Sequence, residues 1–184
     1  NGSVGVQILS SGPVGQWHNI SLMFNKAIAN AKKCIYLETP YFLPTESLLK
    51  ALQTAALSKI DVRVLIPRQP DSMMLKLASG SYIGDCLRAG IKVYFYEPGM
   101  LHSKTIVIDD EFFTTGSTNF DFRSMEYNFE CNAFIYSKTI NEKMKTAFFA
   151  DLAQSTRITS STWRRRPFLQ KFKESVVRLM SPVL

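Results

Sequence analysis

What most constrains the fold of this chain is a rhythm in which short β-type apolar runs and longer stretches of helical period take turns, each stopped by turn-forming residues. Residues 4–9 (Val4, Gly5, Val6, Gln7, Ile8, Leu9) alternate like a strand and stop at Ser10-Ser11-Gly12-Pro13. Leu22, Phe24, Ala27, Ile28 and Ala31 then recur at helical spacing over 20–31, and Cys34 to Leu37 form a short apolar run. Thr45 is placed to cap a helix running to Leu57, with Leu48, Leu49, Leu52, Ala55 and Ala56 on its inner side. A strand over 62–66 ends at Pro67, a helix over 73–89 ends at Gly90, and a strand over 91–96 ends before Pro98-Gly99. This order predicts an α/β domain built on a largely parallel sheet with helices on both faces. Beyond Gly99, runs at 102–108, 112–115 and 129–136 follow with no long helix between them, so the expected sheet is mixed. A helix over 140–153 leads into polar Gln154-Ser155-Thr156 and Thr159-Ser160-Ser161-Thr162. That stretch reads as a linker dividing a lobe over 1–155 from a basic tail over 156–184. There is no tandem repeat and no low-complexity segment.

The 184 residues, 46% of them hydrophobic, suffice for one core and exclude a disordered or collagen-like chain. A net charge of +7 favours polyanionic partners, either nucleic acid or an anionic membrane. Three scattered cysteines, Cys34, Cys86 and Cys131, build no disulfide framework; they read as buried small hydrophobes in a reducing cytoplasm. No run approaches 18 apolar residues and no basic-then-apolar leader opens the sequence, so neither a membrane span nor an export signal is expected within it. The start at Asn1, without methionine, suggests a piece of a longer protein.

The chemistry concentrates in His102-Ser103-Lys104-Thr105-Ile106-Val107-Ile108-Asp109. On a strand, His102 and Lys104 share a face with Ile106 and Ile108 behind them, which pairs an imidazole with a fixed cation. Asp109 has the opposite parity and lies at the strand end, where it suits a support for the loop. Alone, the pair reads as two stray side chains of an edge strand. The run that follows changes this: Gly116-Ser117-Thr118-Asn119, then Asp121, Arg123, Ser124, Glu126, Asn128 and Glu130 are small or polar where a core strand would be apolar. A Gly-Ser turn lets backbone approach a ligand, a hydroxyl and an amide supply neutral donors, and a carboxylate can fix an imidazole tautomer.

This pattern, H-x-K-x4-D at His102, Lys104 and Asp109 followed by G-S-x-N at Gly116 to Asn119, resembles the signature of the phospholipase D superfamily. The flanking text, from Glu38-Thr39-Pro40-Tyr41-Phe42-Leu43-Pro44 to Asp121-Phe122-Arg123-Ser124, together with Ser11-Gly12-Pro13 and Leu179-Met180-Ser181-Pro182, is similar to that of bacterial cardiolipin synthases. The resemblance implies a catalytic His102, acting as nucleophile on phosphorus or as its acid/base partner, in a catalytic set with Lys104, Asp109 and Glu130. It makes Lys104, Ser117 and Asn119 the phosphate-binding groups, has Glu130 orient His102, and sets Tyr41 and Phe42 beside the substrate. Lysine plus neutral donors can stabilise the charge of a phosphodiester transition state unaided, so no metal and no other cofactor is expected. The family's mechanism needs two such motifs, and this chain has one. The second histidine, His18, lacks the downstream pattern and reads as a loop or helix-start residue. The other motif is therefore expected from an N-terminal lobe of the same protein or from a second copy.

In the tail, Trp163-Arg164-Arg165-Arg166 precedes Phe168, Leu169, Phe172, Val176, Leu179, Met180 and Val183 at steps of three and four, among Lys171, Lys173, Glu174 and Arg178. This amphipathic run suits either an anionic membrane interface or packing on a protein surface. The resemblance as a whole implies transfer of a phosphatidyl group between two phosphatidylglycerols, giving cardiolipin and glycerol, at the cytoplasmic face of the bacterial inner membrane. Partners are then anionic phospholipid and the membrane surface rather than nucleic acid. The rival readings are a nuclease or phosphodiesterase of the same superfamily, and a silent lobe that binds lipid or dimerises.

Overall fold

The computed structural model describes residues 4–179, so Met180 and Val183 of the expected stripe, and Ser181-Pro182, lie outside the described residues. In chain order the elements are β1 (Gly5–Ser11), α1 (Asn19–Asn30), β2 (Cys34–Glu38), β3 (Phe42–Leu43), α2 (Glu46–Leu57), β4 (Asp61–Pro67), α3 (Met73–Ala89), β5 (Lys92–Tyr96) and β6 (Thr105–Ile108). Then follow β7 (Phe112–Gly116), β8 (Phe120–Asp121), α4 (Phe122–Glu126), β9 (Glu130–Tyr136), α5 (Lys138–Ala153), β10 (Ser155–Arg157), α6 (Ser160–Arg164) and α7 (Phe168–Arg178). The local chemistry accounts for the helix ends: Thr45 and Ser72 accept the N–H groups of Leu48 and Leu75, and Gly90 closes α3 at φ 92°, a conformation costly for any residue with a Cβ.

Eight strands form one mixed sheet in the order β1-β9-β7-β6-β2-β4-β5-β10, and β3 and β8 pair separately. Neighbours β2-β4 and β4-β5 are parallel, and the other neighbouring pairs are antiparallel. The central strands are apolar on both sides because both sides are covered. Ile35 and Leu37 of β2 face a core with Ile20, Phe24 and Ile28 of α1, Leu48 and Leu52 of α2 and Ile83 of α3. Cys34 and Tyr36, of opposite parity, face Phe148 of α5, on which Tyr36 stacks at 4.9 Å.

Four expectations change. The strand expected over 102–108 begins only at Thr105, leaving His102 to Lys104 as irregular backbone at the sheet's edge. The expected linker is part of the fold: β10 pairs antiparallel with β5, and Thr159 caps α6 through reciprocal hydrogen bonds with Thr162. Trp163 is half-buried against Phe95 beneath the Arg166 guanidinium, so it belongs to the packed domain. Among the cysteines, Cys34 and Cys86 are buried as expected, but Cys131, near the start of β9 and opposite in parity to buried Glu130, Asn132 and Phe134, is exposed.

Candidate active site

The sheet register gathers the polar segments. Ser11 at the end of β1 pairs with Glu130 at the start of β9, Gly116 at the end of β7 with Asn132, and Glu38 at the end of β2 with Thr105 at the start of β6. These positions lie along one edge of the sheet, that of the carboxyl ends of β2, β4 and β5, where polar ligands of open α/β sheets characteristically bind. Ser11 Oγ, Glu38 Oε1, Thr118 Oγ1 and Asn119 Oδ1, all buried here, have no hydrogen-bond partner. Such atoms cost stability unless a ligand or water meets them.

His102 stands exposed at this edge, and Lys104 reaches it. The ammonium lies 3.3 Å from Nδ1 and 3.2 Å from Nε2 of the ring and 3.1 Å from the carbonyl oxygen of His102. Lys104 also borders a small crevice with Thr39, Thr118 and Phe120. Burial lowers its pKa from the ordinary lysine value, and the carboxylates of Glu130 and Asp121 offset part of that effect, which places both acids within electrostatic reach of the ammonium.

Ser117 and Glu130 meet across β7 and β9: the hydroxyl donates to Oε2 of Glu130 and accepts the N–H of Cys131 at 3.0 Å, while Asn128 donates to Oε1 at 3.3 Å. In this state Glu130 is therefore held by Ser117 and Asn128. Asn119 hydrogen-bonds Asp121, whose carboxylate caps α4 by accepting the N–H of Ser124 at 2.7 Å, while Asn119 Oδ1 is buried without a partner. Gly116 permits this closeness, since a Cβ there would come within 2.3 Å of both Asn132 Oδ1 and the carbonyl oxygen of Cys131.

The remaining candidate residues sit elsewhere. Asp109 lies at the far end of β6, about 20 Å of extended chain from His102. Its carboxylate accepts the N–H groups of Lys32, Lys33 and Cys34 at 2.9, 2.7 and 3.0 Å, so it supports the loop before β2 and touches none of the other motif side chains. Phe42 is 1% exposed and stacked on Phe120, which makes it core rather than pocket lining. Tyr41 is at the rim, its hydroxyl donating to Asp71 at 2.8 Å. His18 occupies the residue before α1 without a side-chain capping bond, its Nε2 instead 3.0 Å from Glu126.

Three participants escape the motif. Thr39 accepts the N–H of Phe120 at 3.0 Å and ties β2 to the G-S-x-N turn. Asn132, buried, accepts the N–H of Thr118 at 3.3 Å and donates to Thr114. The signal for Asn132 was available, since Glu130 and Asn132 are polar at the parity that Phe134 marks as buried. Glu38 is buried beside Thr105, and burial, with the charge of Asp151, pushes its carboxyl up to about 7.

A histidine and lysine two apart at the carboxyl edge of such a sheet, facing a G-S-x-N turn, define a phospholipase D-type lobe. The model of the cardiolipin synthase, PLD-like domain family matches residues 24–152, and the chain belongs to that family. It is 49% identical over 183 residues to the major cardiolipin synthase ClsA of Bacillus subtilis (strain 168), covering all of this chain and 38% of that protein. Among solved structures, phosphatidylserine synthase of Haemophilus influenzae superposes with a TM-score of 0.77 at 15% identity, over 98% of this chain and 48% of that one. Nuc of Salmonella typhimurium, a phospholipase D family member, gives 0.72 at 22% identity over 86% of this chain and all of its own. The chain thus spans well under half the length of the cardiolipin synthases it matches. Among the described residues no helix is long and apolar enough to cross a membrane.

Proposed function

We propose that this chain supplies one half of a site that transfers a phosphatidyl group from one phosphatidylglycerol to another, giving cardiolipin and glycerol. The observation that carries the reading is the Lys104 ammonium held 3.2 Å from the His102 ring at an open sheet edge. There a phosphodiester can meet imidazole, cation, hydroxyl and amide together. The reading draws further support from family membership and from relatives named cardiolipin synthase.

In this mechanism two imidazoles divide the work, one from His102 and one from the other lobe or a second copy. One nitrogen lone pair attacks phosphorus, forming a P–N bond as the bond to the glycerol oxygen breaks. The second imidazole, as imidazolium, gives its proton to that oxygen and glycerol leaves. The hydroxyl of the second phosphatidylglycerol then loses its proton to the same imidazole and attacks phosphorus, the P–N bond breaks, and cardiolipin departs. Lys104, the amide of Asn119 and the Ser117 hydroxyl stabilise the non-bridging oxygens throughout, a role for which Ser117 must turn from Glu130. Glu130, released, then orients the imidazole. Tyr41 contacts substrate at the rim, and Asp109 acts only through the fold. The exposure of His102 and Ser117 fits a site completed by another lobe, and the exposed thiol of Cys131 fits the reducing, cytoplasmic side of the membrane.

The test is incubation with headgroup-labelled phosphatidylglycerol vesicles, alongside His102→Ala. Cardiolipin and free glycerol in equal amounts, absent from the variant, support the reading. Phosphatidic acid in place of cardiolipin, or histidine-dependent cleavage of DNA with lipid untouched, would assign hydrolysis instead.

A further inference from the structure

Helix α7 is mounted with its polar side inward. Its one buried residue is Glu174, at 4% exposure, set against Gly80 of α3 and paired with Arg166 and Gln170. One turn on, Arg178 bonds Asp85 at 2.7 Å and lies over the Tyr82 ring at 4.4 Å. The Arg178–Asp85 ion pair ties the helix to α3, the Arg166–Glu174 pair braces its start, and Val177 alone among its apolar residues packs on the main core. The opposite side carries Phe168, Phe172, Val176 and Leu179 at successive turns with Leu169 beside them; they are 82, 56, 45, 83 and 63% exposed. The Phe168 and Phe172 rings stack on each other at 6.5 Å and form a ridge rather than scattered contacts. A domain that spends its salt bridges on the inner face and leaves five large apolar side chains outside has left them for something else to cover.

The charge around the ridge selects what covers it. Residues 157–179 hold seven cations (Arg157, Arg164, Arg165, Arg166, Lys171, Lys173 and Arg178) and one acid, Glu174, which is buried and paired. Arg164 and Arg165, just before α7, and Lys173, next to Phe172 on it, are exposed. The buried centres of protein interfaces are depleted in lysine, whereas apolar residues flanked by unpaired cations suit the boundary between anionic headgroups and acyl chains. Leu179 and Arg178 also border, with Tyr82, Phe122 and Pro44, a shallow depression at the end of the ridge.

We infer that the outer face of α7 docks on the surface of an anionic bilayer, with Phe168 and Phe172 among the acyl chains and Arg164, Arg165 and Lys173 at the headgroups. The inference is separate from the reaction, since a chain without activity would still dock. The experiment is sedimentation of the 184-residue chain with vesicles of phosphatidylcholine alone or with phosphatidylglycerol, at low and high salt. The chain should bind the mixed vesicles at least about tenfold more tightly than pure phosphatidylcholine and lose that margin in high salt. Phe168→Ser/Phe172→Ser should weaken binding about tenfold or more with an unchanged unfolding midpoint, because both rings are solvent-exposed in the folded chain. His102→Ala should bind like the parent, which separates docking from turnover. Equal binding by the double variant, a lowered midpoint in that variant, or a lipid-free dimer that the same substitutions dissociate would each overturn the inference, the last in favour of a second copy on the ridge.

Discussion

Lys104 Nζ sits 3.2 Å from His102 Nε2 and 3.1 Å from the backbone oxygen of the same residue, so the cation is held against the imidazole by the backbone that carries it. The crevice of Thr39, Thr118 and Phe120 limits the lysine stem on its inner side. Position and charge are thereby set before substrate arrives, the condition under which a cation contributes most to a phosphoryl-transfer transition state.

Replacing Lys104 by Met keeps the stem and removes the charge. Turnover should fall about 100- to 1000-fold, the range for losing one preorganised donor. Steady-state kinetics should put most of the loss in kcat, and a change confined to KM would show that Lys104 serves binding alone.

The Glu38 carboxyl, pushed up from the usual 4.5 to about 7 by burial and the nearby Asp151 charge, makes stability pH-dependent. The folded chain holds this proton more tightly than the unfolded chain, so the contribution is complete below pH 4.5 and is lost as the pH rises through 7. Glu38→Gln should remove that slope and gain on the parent by up to about 3 kcal/mol between pH 4 and pH 8. Urea unfolding of both proteins across this range decides it: a difference that does not vary with pH would remove Glu38 as the titrating group.

Asp109→Ala should act on stability. It removes the acceptor for three backbone N–H groups and puts a Cβ residue without a polar side chain at φ 53°, together costing about 3 kcal/mol. Asp109→Gly relieves the backbone and should cost less. Turnover per folded molecule should stay within about twofold of the parent, whereas a 100-fold loss in kcat at full folding would restore Asp109 to the catalytic set.

Gly116→Ala puts a methyl group 2.3 Å from backbone and side-chain atoms of β9. The strands must separate, costing about 2 kcal/mol or more in denaturant unfolding and displacing Ser117 from Glu130. A crystal structure of the variant with the Ser117–Glu130 hydrogen bond intact would contradict this.

Much of this was legible in one dimension. Helix α3 starts and stops where Met73, Ala89 and Gly90 place it, because a serine cap and a left-handed glycine are local signals. His102, Lys104, Ser117 and Asn119 were legible as a motif. Residues 155–157 were not legible as a strand, since three polar residues form an edge strand only because β5 offers an unpaired side. Nor was the inverted mounting of α7, since amphipathic spacing reports that a helix has two sides and leaves open which one its neighbours take.

The sequence by itself determined the alternation of strands and helices, the caps and the identity of the chemical groups, because each depends on residues within a few positions of one another. Tertiary structure alone decided that Glu130 meets Ser117, that Phe42 is core and that Glu174 rather than Phe172 faces inward. Those outcomes depend on strand register and on competition for burial between segments distant in the chain, and no local pattern encodes either.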